Sequence, residues 1–307
     1  MLAGTRIVKQ PAAIDAMTID VEDYFHTLAL AGAVSRSDWH RLPSRVEMNT
    51  DRLLELFEQQ QVQATFFMLG WVAERFPKLV YRIAEAGHEI GCYGFHHQSA
   101  HDQLPTAFRE ETRRAKHLLE DLSGQPIDGY RAVNCSVTRS SLWVLDVLVD
   151  LGFKWDASIY PIYHDQYGLP ETPSEPYTII TRSGGSLFEF PFTTANFLGL
   201  QVPVSGGGSF RQMPYPLFRY LYRAAGHSGD TPRMFYLHPW EIDPEQPHFG
   251  GLSMLSRLRH YRHLKPCFKQ FKRLLDDFNF TTLSQSLTGH RSATTYTNLD
   301  GSLVQLI

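Results

Sequence analysis

A parallel α/β barrel is the fold class that three features of the sequence predict. Short apolar runs rich in Val, Ile, Thr and Phe alternate with amphipathic stretches of helical period. That βαβ order makes a parallel sheet with helices outside it. Polar and ionisable residues recur where the apolar runs end: Asp20 and Glu22, His97, Arg131, Asp156 and His238. The active site of an α/β barrel is assembled from those strand ends, so the pattern fits a barrel better than an open sheet. Finally, 307 residues with 43% hydrophobic and 20% charged content suffice for a large core.

The elements follow in order. Ala16–Val21 is a buried strand running into acids, MTIDVED. NTDRLLELFEQQ (49–60) places Asn or Thr before an amphipathic run, the signal of a capped helix. VQATFFML (62–69) is a second strand, and PKLVYRIAEAG (77–87) a helix stopped by Gly87. HEIGCYGF is a third strand, leading into a His-His pair. Residues 106–124 form a long helix with a glycine stop, GYRAV (129–133) a strand, and 141–153 a helix before the strand end WDASIYP. SLFEFPFT (186–193) and MFYLHPWEI (234–242) complete the series. Residues 257–275 read as one basic helix with a solvated face, with an anion- or membrane-binding face as the alternative. The tail from 286 to 307 is polar and expected to be loosely held.

A net charge of −3 offers no basic field for nucleic acid. Three scattered cysteines and no CxxC argue against a disulfide framework and for a reducing compartment. No run suits a signal peptide, and none approaches the roughly 20 apolar residues of a membrane span. A soluble, cytoplasmic protein is the expectation. Oligomeric state is not legible.

The chemistry-bearing residues begin with DVED. Asp20, Glu22 and Asp23 crowd three carboxylates into four residues, with Asp20 and Glu22 on one side of a strand. Such crowding calls for a cation or a shared proton, unless the acids form a solvated turn. His96 and His97 beside acids suggest a metal, although single histidines are more often structural. Arg131 could hold Asp20 or close a plain salt bridge. His238, between an apolar strand and a proline, suits a general acid or a satisfied buried imidazole.

Taken together, MTIDVEDYF, ATFFMLGWVAERFP, GHEIGCYGFHH, GYRAVNCS, DASIYP and FYLHPWEID resemble, in that order, the NodB-like polysaccharide deacetylases of carbohydrate esterase family 4. The nearest branch is the exosortase-associated type. LPSRVEMNTDRLLELF and VSGGGSFR belong to the resemblance too, which covers residues 14–285 as one catalytic barrel with a C-terminal family extension. It implies a distorted, seven-stranded (β/α) barrel and a divalent metal, commonly zinc, held by one acid and two histidines. It also implies N-acetylated polysaccharide, or a lipid-linked oligosaccharide precursor, as substrate. Position by position, Asp20 resembles the catalytic base, Glu22 and His97 two metal ligands, Arg131 the arginine that orients the base, His238 the catalytic acid and Asp156 its support. Trp240, Tyr160 and Arg211 are candidate substrate contacts, and Trp39, Trp71 and Tyr93 further aromatics that could stack on sugar or pack in the core.

Two positions depart from the family pattern. Tyr93 stands where the first metal histidine belongs, and a neutral phenol is a poor ligand. Val133 replaces the proline that usually follows the arginine-alanine pair, which loosens that backbone. The expectation is an N-acetyl hydrolase of exopolysaccharide or its precursor with an altered metal site, zinc being weakly bound or absent. His96, Asp23, Cys92 and His26 are possible substitute ligands. The alternatives are a metal-free amidase and a carbohydrate-binding pseudoenzyme.

Overall fold

The computed structural model describes residues 14–164, 167–225, 231–288, 294–299 and 302–306. The strands are β1 (Asp15–Val21), β2 (Thr65–Met68), β3 (Glu89–Cys92), β4 (Gly129–Tyr130), β5 (Trp155–Asp156), β6 (Tyr177–Ile180), β7 (Ser186–Glu189), β8 (Thr194–Phe197), β9 (Leu200–Pro203), β10 (Met234–Leu237), β11 (Phe280–Thr281), β12 (Thr295–Leu299) and β13 (Ser302–Leu306). Seven of them run parallel, in the order β10-β1-β2-β3-β4-β5-β7. Strand β1, between β10 and β2, is buried at every position. A parallel strand covered on both faces is buried throughout, and its polar residues Asp15, Thr18 and Asp20 are each hydrogen-bonded.

The gap between β7 and β10 is spanned without a regular strand. Met234 N–H donates to Thr193 Oγ1 (2.7 Å) and Tyr236 N–H to the Ser205 carbonyl (2.6 Å). Gly206 makes a lone parallel bridge to Tyr236. This is how the barrel is distorted: irregular chain replaces one stretch of ladder. All seven strands therefore deliver their C-terminal ends to one mouth.

The helices are α1 (Val46–Gln60), α2 (Gly70–Arg75), α3 (Pro77–Glu85), α4 (Pro105–Ser123), α5 (Trp143–Asp150), α6 (Gly207–Gln212), α7 (Tyr215–Ala224), α8 (Met254–Tyr261), α9 (Leu264–Asp277) and α10 (Leu283–Ser286). Helix α4 packs across α2, α3, α5 and β3 on the outside of the sheet. Its left-handed stop at Gly124 falls where the sequence places it. No helix among the described residues is long and apolar enough to cross a membrane.

Three local expectations change. Helix α1 begins at Val46, with Asn49 and Thr50 buried inside it. Its first amides are capped from a distance, because the Asp23 carboxylate accepts the N–H groups of Arg45 and Val46. The basic helix of 257–275 is two helices, broken at His263, which takes φ 58°. The tail is not loose where it is described. Strand β12 pairs with β6 and β13 pairs with β12, since Thr and Tyr at 295–297 suit a strand.

Gly206 sits at φ 132°, and a Cβ there would lie 2.0 Å from the Tyr236 carbonyl oxygen. Gly206→Ala should therefore destabilise the fold by about 2 kcal/mol or more. Gly208→Ala, which meets open space, should be neutral or stabilising by up to ~1 kcal/mol. Urea unfolding of the two variants checks the contrast; equal stability would refute it.

Candidate active site

At the mouth, a cavity of about 160 Å³ is lined by Asp20, Glu22, Tyr93, Arg131, Asn134, Cys135, Tyr167, Phe192, Tyr236, His238 and Trp240, among others. The structure thus brings together Asp20, Glu22, Tyr93, Arg131, His238 and Trp240 from four strand ends, with His97 against Glu22.

Asp20 is 2% exposed and accepts a 2.6 Å hydrogen bond from Arg131 Nη1. Burial raises its pKa, while Arg131 and then His238 pull it back. Arg131 is itself pinned, donating to Thr18 Oγ1 (2.9 Å) and to the Ala157 carbonyl (3.1 Å) and lying over the Phe67 ring. The arginine therefore holds Asp20 in one orientation.

His238 follows β10 and reaches in from the other side. Its Nδ1 lies 2.9 Å from Glu241 Oε2. Burial opposes charge on Glu241, but Arg211 and His238 outweigh it and hold the carboxyl at about 2. An ionised Glu241 can only accept, so His238 carries a proton on Nδ1. Burial would lower the His238 pKa, yet Glu22 and Glu241 lift it to about 9. Near neutral pH it is an imidazolium, with Nε2 facing Asp20 Oδ2 (3.9 Å) and Glu22 Oε1 (3.7 Å).

Glu241, not Asp156, is the support of His238. The sequence carries this as His-Pro-Trp-Glu, a capping box in which Glu241 also accepts the His238 N–H (3.1 Å). Asp156 instead accepts from Ser158 Oγ (2.6 Å), which accepts from the Ala132 N–H (2.8 Å). Glu189 lies beside Asp156 and accepts the Ile159 N–H (3.0 Å), and burial raises both acids. This pair braces the loop that carries Arg131.

Glu22 Oε1 accepts from Trp240 Nε1 (3.0 Å), and Oε2 lies 2.5 Å from His97 Nε2. Burial opposes its charge, but His97 and His238 bring it to about 2. Neither Glu22 Oε2 nor His97 Nε2 has a well-formed hydrogen bond. A carboxylate oxygen and an imidazole nitrogen this close are two candidate metal donors. A third is lacking: the described residues include no group of three His, Cys, Asp or Glu that could hold a metal ion.

None of the proposed substitutes completes a group of three donors among the described residues. His26 Nδ1 accepts from the Asp23 N–H (2.8 Å), which places the proton of the neutral ring on Nε2, a buried atom without a hydrogen-bond partner. Its ring is boxed by Phe25, Trp39 and Trp71, which makes those indoles packing groups. Asp23 accepts from Ser44 Oγ (2.5 Å) and from the N–H groups of Tyr24, Arg45 and Val46. Cys92 is buried within β3, and burial lifts its thiol to about 12. Half-buried His96 lies among the charges of Glu111, Arg36, Arg114 and Glu74. Tyr93 is 3% exposed, and burial, with Asp20 and Glu22 nearby, keeps its phenol neutral. The donor set does not fit a site of one acid and two histidines.

Two of the substrate contacts change. Arg211 is buried, donating to Glu241 Oε1 (2.6 Å) and to the carbonyls of Arg259, His260 and Arg262. Tyr160 lies behind the cavity, accepting from Ser205 Oγ (3.0 Å) and stacking on Tyr167 and Phe192, which do line it. Trp240 lines the cavity, but it stacks on His238 and His260 and spends its N–H on Glu22.

Backbone strain gathers at the same mouth. His97 (φ 52°), Asn134 (φ 57°) and Cys135 (φ 50°) are left-handed without being glycine. Such conformations persist only where surrounding packing imposes them. Val133 opens the turn that holds two of them and is itself buried.

Residues 41–154 match the polysaccharide deacetylase family, and residues 157–288 match a domain of unknown function, DUF3473. A Helicobacter pylori peptidoglycan deacetylase is 29% identical over 113 residues, 37% of this chain and 38% of the relative. A Bacillus cereus peptidoglycan-N-acetylglucosamine deacetylase is 36% identical over 75 residues, 24% of this chain and 27% of the relative. The chain thus spans about a quarter to two fifths of the length of these relatives. A solved Mycobacterium smegmatis structure, described as a polysaccharide deacetylase, overlays with a TM-score of 0.57 at 20% identity, covering 91% of each chain. Puue allantoinase overlays with a TM-score of 0.57 at 16% identity, covering 92% of this chain and 95% of that one. The two overlays show the fold. Over residues 41–154 the chain is thus similar to the polysaccharide deacetylases.

Proposed function

We propose that the protein removes N-acetyl groups from amino sugars of a polysaccharide. The observation that carries this reading is the acid–base pair across one cavity: Asp20 fixed by Arg131, and an imidazolium His238 fixed by Glu241. The peptidoglycan deacetylases among the relatives support an N-acetylated glycan as substrate. An exopolysaccharide or its lipid-linked precursor is the substrate we favour.

Deacetylases of this family generally use a divalent metal, which would polarise the acetamide carbonyl. Here the donors do not make up that site, so the chain's own residues carry each step. Asp20 takes a proton from water as the water oxygen attacks the carbonyl carbon. Tyr93, a neutral phenol lining the cavity, donates to the oxygen on which negative charge develops. The C–N bond breaks as His238 Nε2 protonates the nitrogen, leaving acetic acid and a free amine. The proton held by Asp20 then returns to His238, 3.9 Å away.

Acetate release from N-acetylated oligosaccharides and peptidoglycan tests the reading. Asp20→Asn should lower turnover by about 10³-fold or more while sugar binding persists. A wild-type protein that binds the glycan but releases no acetate would refute hydrolysis and leave a binding role.

The pH profile has a stated sign. His238 acts as an acid only while protonated, so turnover should fall as pH rises through about 9. Glu241→Gln removes one of the charges that raise that pKa. The alkaline limb should move toward neutrality and the rate should drop by about 10²-fold; an unmoved limb would refute the pairing.

Tyr93→Phe removes only the phenolic hydroxyl and should lower kcat by about 10²-fold with little change in KM. Tyr93→His supplies a third donor and should bind zinc at least ~10-fold more tightly than the wild type. Isothermal titration checks this, and equal affinities would place the missing ligand elsewhere.

A further inference from the structure

Helix α8 presents its apolar side outward. Met254, Leu255 and Leu258 are 79%, 57% and 46% exposed. They fall within about 100° of arc on the helix. The inward face carries His260 instead, fully buried, with its ring nitrogens on Gln246 Oε1 (2.7 Å) and Thr27 Oγ1 (3.2 Å). Exposed Arg257 and Arg259 flank the apolar stripe on its two sides, and exposed Arg262 follows its last turn. Among the described residues, none of these guanidinium groups donates a hydrogen bond or joins an ion pair.

The surrounding sequence has the same bias. Residues 246–275 hold seven Lys and Arg and no Asp or Glu, in a chain whose net charge is −3. The helix is also joined to the active site. A groove lined by Leu255, Leu258, Arg259 and Arg262 continues to Trp240 and His238. Arg211 grips the carbonyls of Arg259, His260 and Arg262 while pairing with Glu241. Helix α8 therefore cannot turn its apolar side inward without breaking the support of His238.

We propose that α8 docks the protein on an anionic lipid surface. Met254, Leu255 and Leu258 enter between headgroups, and Arg257, Arg259 and Arg262 pair with lipid phosphates. An apolar stripe flanked by cations is the pattern of a helix lying in a bilayer interface. A second copy fits less well, because an isologous pairing would bring this acid-free surface against itself. Docking places the cavity mouth beside the membrane, within reach of a lipid-linked glycan. The inference stands apart from the amide chemistry.

Sedimentation of the full chain with phosphatidylcholine vesicles, with and without about a third phosphatidylglycerol, tests it. The protein should pellet with the anionic vesicles, less so as salt rises, and remain in solution with the neutral ones. Replacing Met254, Leu255 and Leu258 together by Ser should weaken binding by at least ~10-fold. Replacing Arg257, Arg259 and Arg262 together by Glu should abolish it. Both triple variants alter exposed side chains, and unchanged thermal melting would show that they fold. No binding to anionic vesicles overturns the proposal. So does binding that either variant retains. Wild-type dimers that the serine variant dissolves would assign the face to a second copy, and inorganic phosphate binding without vesicle binding would reduce it to an anion site.

Discussion

Three carboxylates buried within four residues are the constraint on which the site is built. Asp20, Glu22 and Asp23 are each no more than 2% exposed at the end of β1. Removing such groups from water costs several kcal/mol apiece unless each finds partners. The fold answers each differently. Arg131 meets Asp20, while Trp240, His97 and His238 surround Glu22. Asp23 receives a hydroxyl and three backbone amides, and in doing so starts α1. One strand end thereby fixes a helix, the Asp20 carboxylate and the setting of His238.

That arrangement explains why the two family matches cannot be separate bodies. The boundary between them falls at residues 155–156, inside β5. β1 pairs on one side with β2, from the deacetylase match, and on the other with β10, from the DUF3473 match. Asp20 and Glu22 precede both matches, Arg131 lies in the first and His238 in the second. These side chains meet only where the single sheet brings the strand ends to one mouth.

The residues behind the cavity are held as specifically as those that line it. Arg211 bonds Glu241, which bonds His238. Asp156 and Glu189 brace the chain that presents Arg131. The left-handed residues at His97, Asn134 and Cys135 are sterically unfavourable. They are held by this packed surround, as expected where a loop must aim a side chain or a backbone group at a reacting centre.

By itself the sequence determined the parallel sheet, its helices and most of the residues at the mouth. Apolar runs of strand length and helical periods are local properties, and DVED, the histidine pair, Arg131 and His238 stand at strand ends that local patterns locate. Even the partner of His238 was written locally, three residues on, as Glu241. Tertiary structure decided what depends on contacts between distant segments. Asp23 caps α1 instead of offering a ligand, because Arg45 and Val46 arrive beside it. Arg211 and Tyr160 turn inward, because Glu241 and Ser205 are their neighbours. The break at His263 leaves α8 apolar side out, because the polar partners of His260 lie beneath it. The third donor position at Glu22 and His97 is governed by distance and orientation, which no spacing along the chain records.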